Sequence, residues 1–223
     1  MLRTLCPEAK QIIIEGVAEY FNQYSSDYGL NTPLRIVHFI AQAAHETDRF
    51  KTLQEYASGS AYEGRKDLGN VKKGDGKRYK GRGIFQLTGR ANYITIGKIL
   101  GIDLETNPEL ALNPKYSVLI ALEYWKSRKI NSIADIDDVV GVTKKINGGR
   151  NGLQDRIILL KKCKELYDVL QIQLKLIGLG YSIIPDGVSG NNTTAAIRDF
   201  QSKRGLVVDG VAGMKTKKVL FSA

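Results

Sequence analysis

Three glutamates in the first third of the chain, Glu46, Glu55 and Glu63, have the side chains best suited to acid–base chemistry. Glu46 follows Phe39 by seven residues and Ala43 by three, so it shares the apolar face of a predicted helix. A carboxyl held partly out of water can act as a general acid near neutral pH. Glu55 follows that helix, and two carboxyls about 6.5–9.5 Å apart with a water between them can hydrolyse a glycosidic bond with inversion. Their spacing alone fits solvated glutamates equally well, so the surrounding residues decide.

Several distinctive segments surround these glutamates in order along the chain. They are FIAQAAHET at 39–47, ASGSAYEGR at 57–65, DLGN at 67–70, YKGRGIFQLTGRANY at 79–93 and TKKINGG at 143–149. Together they resemble glycoside hydrolase family 19, in particular bacteriophage endolysins of the chitinase-like type. The resemblance runs from about Ile36 to Arg156. It implies a mainly α-helical, lysozyme-like catalytic domain that inverts the anomeric carbon without a metal or other cofactor.

The resemblance also implies roles for individual residues. Glu46 matches the general acid, and Glu55 matches the second acid, which together with Thr88 would hold and activate a water molecule. Arg156 matches a position that supports the sugar groove. Four further positions would line that groove: Gln86, Asn92, Tyr93 and Asn147.

Other residues near the glutamates are candidates for supporting roles or sugar contacts. His45 is expected to be a hydrogen-bonding partner beside the acid rather than a base, and Tyr56 and Glu63 are candidate substrate contacts. Longer members of the family have a larger insertion after the first glutamate, which leaves Glu63 as an alternative second acid. The position of Glu63 two residues before Arg65 also fits an ion pair with that arginine, or a role in a turn. His38 and His45 have no convincing third ligand, so no metal site is predicted.

The elements that must position these residues are predicted to be helices. Thr32 is a suitable N-cap and Pro33 a suitable first residue for the helix that runs towards Glu46. Trp125 is expected to lie in the core. Helical spacing of apolar residues also occurs at 7–24, 91–100, 114–125 and 153–170.

Between Lys51 and Arg82, glycines interrupt a polar stretch that has no lasting periodicity. The stretch also contains Tyr56, Tyr62 and Tyr79. Flexible linkers rarely contain so many aromatic residues, so the sequence favours an irregular functional loop.

An eight-residue motif occurs twice near the end of the sequence. DGVSGNNT at 186–193 is repeated as DGVAGMKT at 209–216, and each copy predicts a glycine-rich turn that leads into a helix. With a further helix at about 169–177, the repeats resemble the three-helix peptidoglycan-binding domain of many wall hydrolases. The sequence therefore predicts a catalytic domain at 1–166 and a peptidoglycan-binding domain at 167–223.

The net charge of +10 indicates a polyanionic partner. The charge is +6 up to residue 170 and +4 after it, without a concentrated basic block or a nucleic-acid-binding motif. This pattern disfavours nucleic acid as the partner and indicates a general attraction to polyanions. Neither a membrane span nor an ordinary secretory signal is recognisable. Cys6 and Cys163 form no metal-binding or redox motif and are expected to be reduced thiols.

These features and the resemblance predict a monomeric endolysin that hydrolyses β-1,4 bonds of bacterial peptidoglycan and thereby lyses its host. It would be made in the host cytoplasm and reach the periplasm and wall through a separate membrane pore protein. Three alternatives remain open at this stage. They are a chitinase acting on chitin oligomers, a non-catalytic wall-binding protein, and a lytic transglycosylase that uses one acid and forms an anhydro sugar.

Overall fold

The computed structural model describes residues 1–222 and confirms the prediction of a mainly α-helical chain. Helices account for 62% of the residues, and the β-type pairing in this part of the chain is limited to bridges between Gln54 and Arg82 and between Arg82 and Leu87. The α-helices are α1 (Leu2–Leu5), α2 (Gln11–Tyr24), α3 (Pro33–Glu46), α4 (Asp75–Arg78), α5 (Arg90–Leu100), α6 (Pro114–Ser127), α7 (Ile130–Ala134), α8 (Val139–Asn147), α9 (Leu153–Gly178), α10 (Asn191–Lys203) and α11 (Met214–Ser222). Short 3₁₀ helices occupy Ser25–Tyr28, Ser60–Tyr62, Lys66–Leu68 and Pro108–Leu112.

The described chain divides into two compact units. The larger unit is Cys6–Leu160, and the smaller combines Met1–Leu5 with the chain from Lys161 onward. The larger unit contains all the candidate catalytic residues, and the smaller contains both copies of the repeated motif.

Aromatic rings form the centre of the larger unit. The ring of Phe39 in α3 lies 5.0 Å from that of Phe21 in α2, and 5.4 Å from those of Phe85 and Trp125. Trp125 in α6 is fully buried, as predicted, and its indole N–H donates to Asn131 Oδ1 at 2.8 Å. These ring contacts fix α3, and with it the Glu46 backbone, against α6 and the segment that carries Phe85.

Helix α3 begins where the sequence predicts. The Thr32 hydroxyl accepts the Arg35 N–H at 3.4 Å, and Pro33 is the first helical residue. Most of the helix is buried, and its apolar face continues to Ala44. The helix ends at Glu46, so that side chain leaves the core at a helix terminus.

The turn after α3 has an unusual backbone. Asp48, Arg49 and Phe50 have φ angles of 47°, 62° and 59°, a region that residues with a Cβ seldom adopt. The hydroxyl of Thr47 accepts the Phe50 N–H at 2.9 Å and donates to the Ala43 carbonyl at 2.7 Å. Thr47 and Phe50 are both fully buried, so packing and hydrogen bonds compensate for the strained backbone.

The region from Lys51 to Arg82 is irregular and ordered by buried polar anchors. The amide of Asn70, which is fully buried, donates to the Tyr62 carbonyl at 2.9 Å and accepts the Arg90 N–H at 2.8 Å. Asp75 is also buried and accepts the Lys72 N–H at 2.9 Å. The region is therefore a built loop rather than a linker, as its tyrosines predicted.

Helix α9 is longer than expected, because the two helices predicted at 153–170 and 169–177 form one element, Leu153–Gly178. The sequence from 153 to 177 contains neither glycine nor proline, so nothing interrupts the backbone hydrogen bonds. Helices α7 and α8, which are only five and nine residues long, were not predicted.

The smaller unit contains the expected three helices, formed by the end of α9, α10 and α11. Its core packs Ile172, Leu176, Ile197, Phe200 and Leu220 together with Ala196.

Each repeated turn of this unit is organised by one buried glutamine. The side chain of Gln201 accepts the Gly210 N–H at 2.9 Å and donates to Asp209 Oδ1, the Val211 carbonyl and Thr216 Oγ1 at 2.8, 3.0 and 3.1 Å. Gln173 makes the same four contacts with the first copy of the motif, at Gly187, Asp186, Val188 and Thr193. The repeat in sequence is thus a repeat of hydrogen-bonded structure.

Among residues 1–222, no helix has both the length and the apolar character that a membrane crossing needs.

Candidate active site

Glu46 is held at the end of α3 by a buried arginine. Arg156 in α9 is 1% exposed, and its guanidinium donates to Glu46 Oε1 at 2.5 Å and to Gln42 Oε1. The amide of Gln42, one turn before Glu46, donates to Thr143 Oγ1 of α8 at 3.3 Å. The Glu46 side chain retains 18% exposure. Its carboxyl is therefore fixed by Arg156 on one side and still accessible to solvent.

His45 belongs to a second network beside the acid. Its Nδ1 lies 2.5 Å from Asp155 Oδ2, and the other carboxylate oxygen of Asp155 accepts from Arg49. Burial acts to raise the pKa of Asp155, but the hydrogen bonds from His45 and Arg49 outweigh it and leave that pKa below its usual value. His45 packs over Gly152, where a Cβ would come within 2.4 Å of the ring. The hydrogen-bonding role expected for His45 agrees with this position.

Glu55 is held by groups of a different kind, on the loop that follows α3. Its Oε1 accepts the Gly81 N–H at 2.8 Å, and its own N–H donates to the Gly81 carbonyl at 3.1 Å. The hydroxyl of Tyr62 donates to Glu55 Oε2 at 2.9 Å. Burial, followed by this bond to Glu55, raises the pKa of Tyr62, so the phenol remains a donor. Glu55 is therefore oriented by uncharged donors, and the ion pairs found within residues 1–222 do not include it.

Gly81 is the point where the candidates around Glu55 converge. A Cβ added to Gly81 would lie 2.7 Å from Gln86 Oε1, 3.3 Å from Glu55 Cδ and 3.4 Å from Thr88 Oγ1. The structure thus brings together Glu55, Gln86 and Thr88, as the resemblance implied. Only glycine leaves the space in which these three side chains meet.

Gln86 presents an acceptor that the rest of the site leaves unused. Its backbone has a φ of 50°, and its Nε2 donates to the Gly83 carbonyl at 2.9 Å. Its Oε1 is buried and has no hydrogen-bond partner within the described chain. Buried acceptors are seldom left unpaired, so Oε1 is suited to a water or a sugar hydroxyl beside Glu55. The Thr88 hydroxyl donates to the Gln86 carbonyl at 2.8 Å. Its oxygen can still accept a hydrogen bond from the same water or sugar hydroxyl.

Aromatic residues connect the surroundings of the two acids. Phe85, next to Gln86, lies 5.5 Å from the ring of Tyr124 in α6. Burial raises the pKa of Tyr124, Arg128 opposes that shift, and the charge of Glu46 adds to it. Tyr124 was not predicted as a site residue, because its place beside Trp125 in a helix favours a core role over a sugar contact.

Glu63 has a structural role in the loop. Its two carboxylate oxygens accept the N–H groups of Gly74 and Gly76 at 2.6 and 2.9 Å. Arg65 pairs with Asp67 at 2.5 Å instead of with Glu63. Both oxygens of Glu63 therefore accept hydrogen bonds from the turn, which favours Glu55 as the second acid, and a contact of Glu63 with the sugar stays a prediction.

Tyr93 is a core residue, which corrects the expectation that it lines the sugar groove. It is fully buried against Tyr79, and its hydroxyl donates to the Lys80 carbonyl at 2.7 Å and accepts from Arg82 at 3.2 Å. Burial raises its pKa to about 12. Through its hydrogen bond to the Lys80 carbonyl, Tyr93 therefore fixes the backbone next to Gly81. The family motif could not reveal this burial, because it marks positions without showing which way each side chain points.

The remaining candidates are accessible at least in part. Asn92 in α5 is exposed and donates to the Thr88 carbonyl at 2.7 Å. Asn147 ends α8 and closes the following loop, donating to the Asn151 carbonyl and accepting the Gly149 N–H, each at 2.8 Å. Tyr56 is 79% exposed and its hydroxyl donates to Asp48 at 3.0 Å. Its open ring face is suited to stacking on a sugar.

Two family models match the chain. The model described as class I chitinase covers residues 16–147, more than half of the sequence, and the model described as a putative peptidoglycan binding domain covers residues 166–220. A glycosyl hydrolase family 19 domain-containing protein of Haemophilus influenzae is 37% identical over 113 residues, which are 51% of this chain and 54% of that protein. The chain spans about half the length of the first curated relatives it matches.

Two further comparisons concern a short stretch and the fold. A spore cortex-lytic enzyme of Bacillus cereus is 49% identical over 57 residues, which are 25% of this chain and 22% of that protein. Chitinase C from Streptomyces griseus superposes with a TM-score of 0.59 at 21% identity, over 73% of this chain and 72% of its own. This last likeness extends to the fold alone.

Proposed function

Because the chain belongs to the class I chitinase family, which is glycoside hydrolase family 19, and carries a C-terminal peptidoglycan-binding domain, we propose that it hydrolyses β-1,4 bonds in the glycan strands of peptidoglycan. The observation that carries this proposal is the presence of both parts in one chain. The similarity to an enzyme named for spore cortex lysis supports a wall substrate.

The proposed mechanism uses two carboxyls that are held independently. Glu46 protonates the leaving glycosidic oxygen, and Arg156 fixes the direction of its carboxyl. Glu55 accepts a proton from a water molecule on the opposite face of the sugar while Thr88 and Gln86 Oε1 orient that water. The water oxygen bonds to the anomeric carbon as the bond to the leaving oxygen breaks, so the configuration inverts.

Digestion of purified sacculi by wild type, Glu46→Gln and Glu55→Gln, followed by mass analysis of the fragments, tests the proposal. We expect hydrated muropeptides from wild type, almost none from either variant, and normal activity from the exposed control Glu19→Gln. Products one water lighter would indicate a transglycosylase instead. Substantial activity of Glu46→Gln would refute the assignment of the acid.

A chitinase is the second candidate, because endochitinases are among the curated relatives. Chitin oligomers contain the same β-1,4 linkage between N-acetylated amino sugars. Parallel assays on chitin oligomers and sacculi, expressed as kcat/KM, decide between the two substrates.

We further propose that the enzyme acts as a monomeric endolysin, which accumulates in the cytoplasm of its bacterial host and reaches the periplasm and wall through a separate membrane pore protein. Expression in a bacterial host, with and without a pore-forming protein, tests this role. Lysis that needs no pore would contradict it. Sedimentation of the purified protein tests the monomer.

A further inference from the structure

The loop that carries Glu63 is strongly basic. Residues 63–80 contain seven lysines and arginines and three acidic residues. Glu63 is occupied by the N–H groups of Gly74 and Gly76, and Asp67 is paired with Arg65. The third acidic residue, Asp75, is buried and lies 3.3 Å from Arg90 of α5.

The lysines of this loop are left without compensating charges. Lys66, Lys72, Lys73 and Lys77 are exposed, and the ion pairs of the described chain include none of them. A loop whose carboxylates are all engaged while its ammonium groups face solvent attracts anions.

A cleft of about 750 Å³ lies at the end of this loop. Its walls include Lys77, Arg78 and Arg82, against one acidic residue, Glu109. Arg82 is 3% exposed, and its guanidinium donates to Glu109 Oε1, a carboxylate that is itself largely exposed. Its Nε is buried and lacks a hydrogen-bond partner within the described chain. Arg82 thus already binds one carboxylate at the cleft.

The cleft adjoins the candidate active site through the backbone. Arg82 directly follows Gly81, whose N–H binds Glu55, and Arg82 forms a bridge with Gln54, which precedes Glu55. The backbone that holds Glu55 therefore continues directly into a residue that lines the basic cleft.

We propose that the cleft and the lysines of residues 72–77 bind carboxylates of the peptide stems on peptidoglycan, and so distinguish it from uncharged chitin. The inference rests on the proposed function, since it concerns substituents of the same glycan strand. Exposed lysines contribute a long-range attraction, and the exposed guanidinium of Arg78 in the cleft wall contributes directed hydrogen bonds.

The test compares full-length Lys72→Gln/Lys73→Gln/Lys77→Gln with full-length Lys10→Gln/Lys98→Gln/Lys129→Gln, which removes equal charge from exposed positions elsewhere on the larger unit. Both are assayed at low salt on native sacculi, on sacculi whose carboxyls have been converted to amides, and on sacculi freed of phosphate polymers with acid. We expect the loop variant to lose about ten-fold in kcat/KM on native and phosphate-free sacculi, and the control variant to lose less than about two-fold. The difference between the loop variant and wild type should disappear on amidated sacculi.

Several outcomes would overturn the inference. Equal losses in the two variants would indicate a general charge effect, and a loss that persists on amidated sacculi would exclude carboxylates as ligands. A loss that vanishes when phosphate is removed would identify phosphate polymers instead. Wild type that cuts no sacculi would refute the proposed function itself, which is a separate result.

Discussion

Glu46 and Glu55 are held by donors of different kind, and this difference matches their proposed roles. Glu46 receives a hydrogen bond from a buried guanidinium, which fixes the carboxyl at the end of a helix. Glu55 receives one backbone and one phenol donor, neither of which is charged. A general acid must point at one oxygen, whereas a base must hold a water together with its neighbours. The unpaired Oε1 of Gln86 provides such a neighbour.

We predict that Arg156→Lys lowers kcat on sacculi by about 100-fold with little change in KM. A misdirected catalytic acid lowers the rate of the chemical step more than it weakens substrate binding. A lysine ammonium cannot bridge Gln42 and Glu46 with the planar geometry of a guanidinium. Steady-state kinetics measures the effect, with the nearby exposed Arg150→Lys as the matched control. Equal kcat values for the two variants would show that Arg156 does not position the acid.

The sequence predicted the identities of several site residues better than their surroundings. The family resemblance assigned Glu46, Glu55, Thr88 and Gln86 to the candidate site, because resemblance preserves position along the chain. It could not show that Tyr93 points into the core, since burial depends on contacts distant in sequence.

Gln42 and Tyr62 were missed as site residues for a similar reason. Each is an ordinary polar residue of its segment, and its role depends on the Glu46 and Glu55 carboxylates that folding brings to it. Only the folded contacts distinguish such a partner from a surface side chain.

Elements rather than single residues create the geometry near Glu55. The bridges of Arg82 with Gln54 and Leu87 hold three loop segments together where no extended strand forms. Strong helix signals such as Thr32-Pro33 made α3 predictable. By contrast, the left-handed turn at Asp48–Phe50 contains no glycine, so the residue types of this segment did not predict it.

For the loop that contains Gly81, we predict that Gly81→Ala leaves the protein folded and lowers kcat on sacculi by about 100-fold. The new methyl group would lie 2.7 Å from Gln86 Oε1 and 3.3 Å from Glu55 Cδ, so both side chains must move. Gly178→Ala, where a Cβ meets nothing within 4 Å, is the matched control. Kinetics and thermal unfolding are measured together, and full activity of Gly81→Ala would contradict the convergence of these groups on the reaction.

The paired turns of the smaller unit give a prediction about stability. Gln201→Met keeps the approximate volume but removes all four hydrogen bonds to the second repeat. We expect the free energy of unfolding of this unit to fall by about 2–4 kcal/mol, because buried polar groups lose their partners. The adjacent exposed Ser202→Ala should change it by less than about 0.5 kcal/mol. Urea unfolding followed by residue-resolved hydrogen exchange distinguishes this unit from the other, and an unchanged exchange pattern would refute the role of the glutamine.

On the scale of the whole molecule, both parts of the chain carry positive charge, and the total is +10. A basic surface throughout is suited to a polyanionic polymer, because long-range attraction brings the protein to the wall before specific contacts form. The peptidoglycan-binding domain would then keep the catalytic unit at high local concentration on the same polymer. Attraction and retention are physically distinct, since only attraction depends strongly on salt.

This distinction leads to a prediction for the intact chain. Raising sodium chloride from about 0.05 M to about 0.5 M shortens the range of electrostatic interaction, so the initial rate of binding to native sacculi should fall at least about five-fold. Glu46→Gln, which we expect to bind without cutting, allows the binding rate to be measured by stopped-flow light scattering and the release rate by dilution. The release rate should change less than the binding rate, because short-range contacts in the peptidoglycan-binding domain are less screened.

Sacculi with amidated carboxyls serve as the control and should show little dependence on salt. If salt instead altered release more than binding, the charge would act within the bound complex, and attraction at a distance would not explain the basic surface.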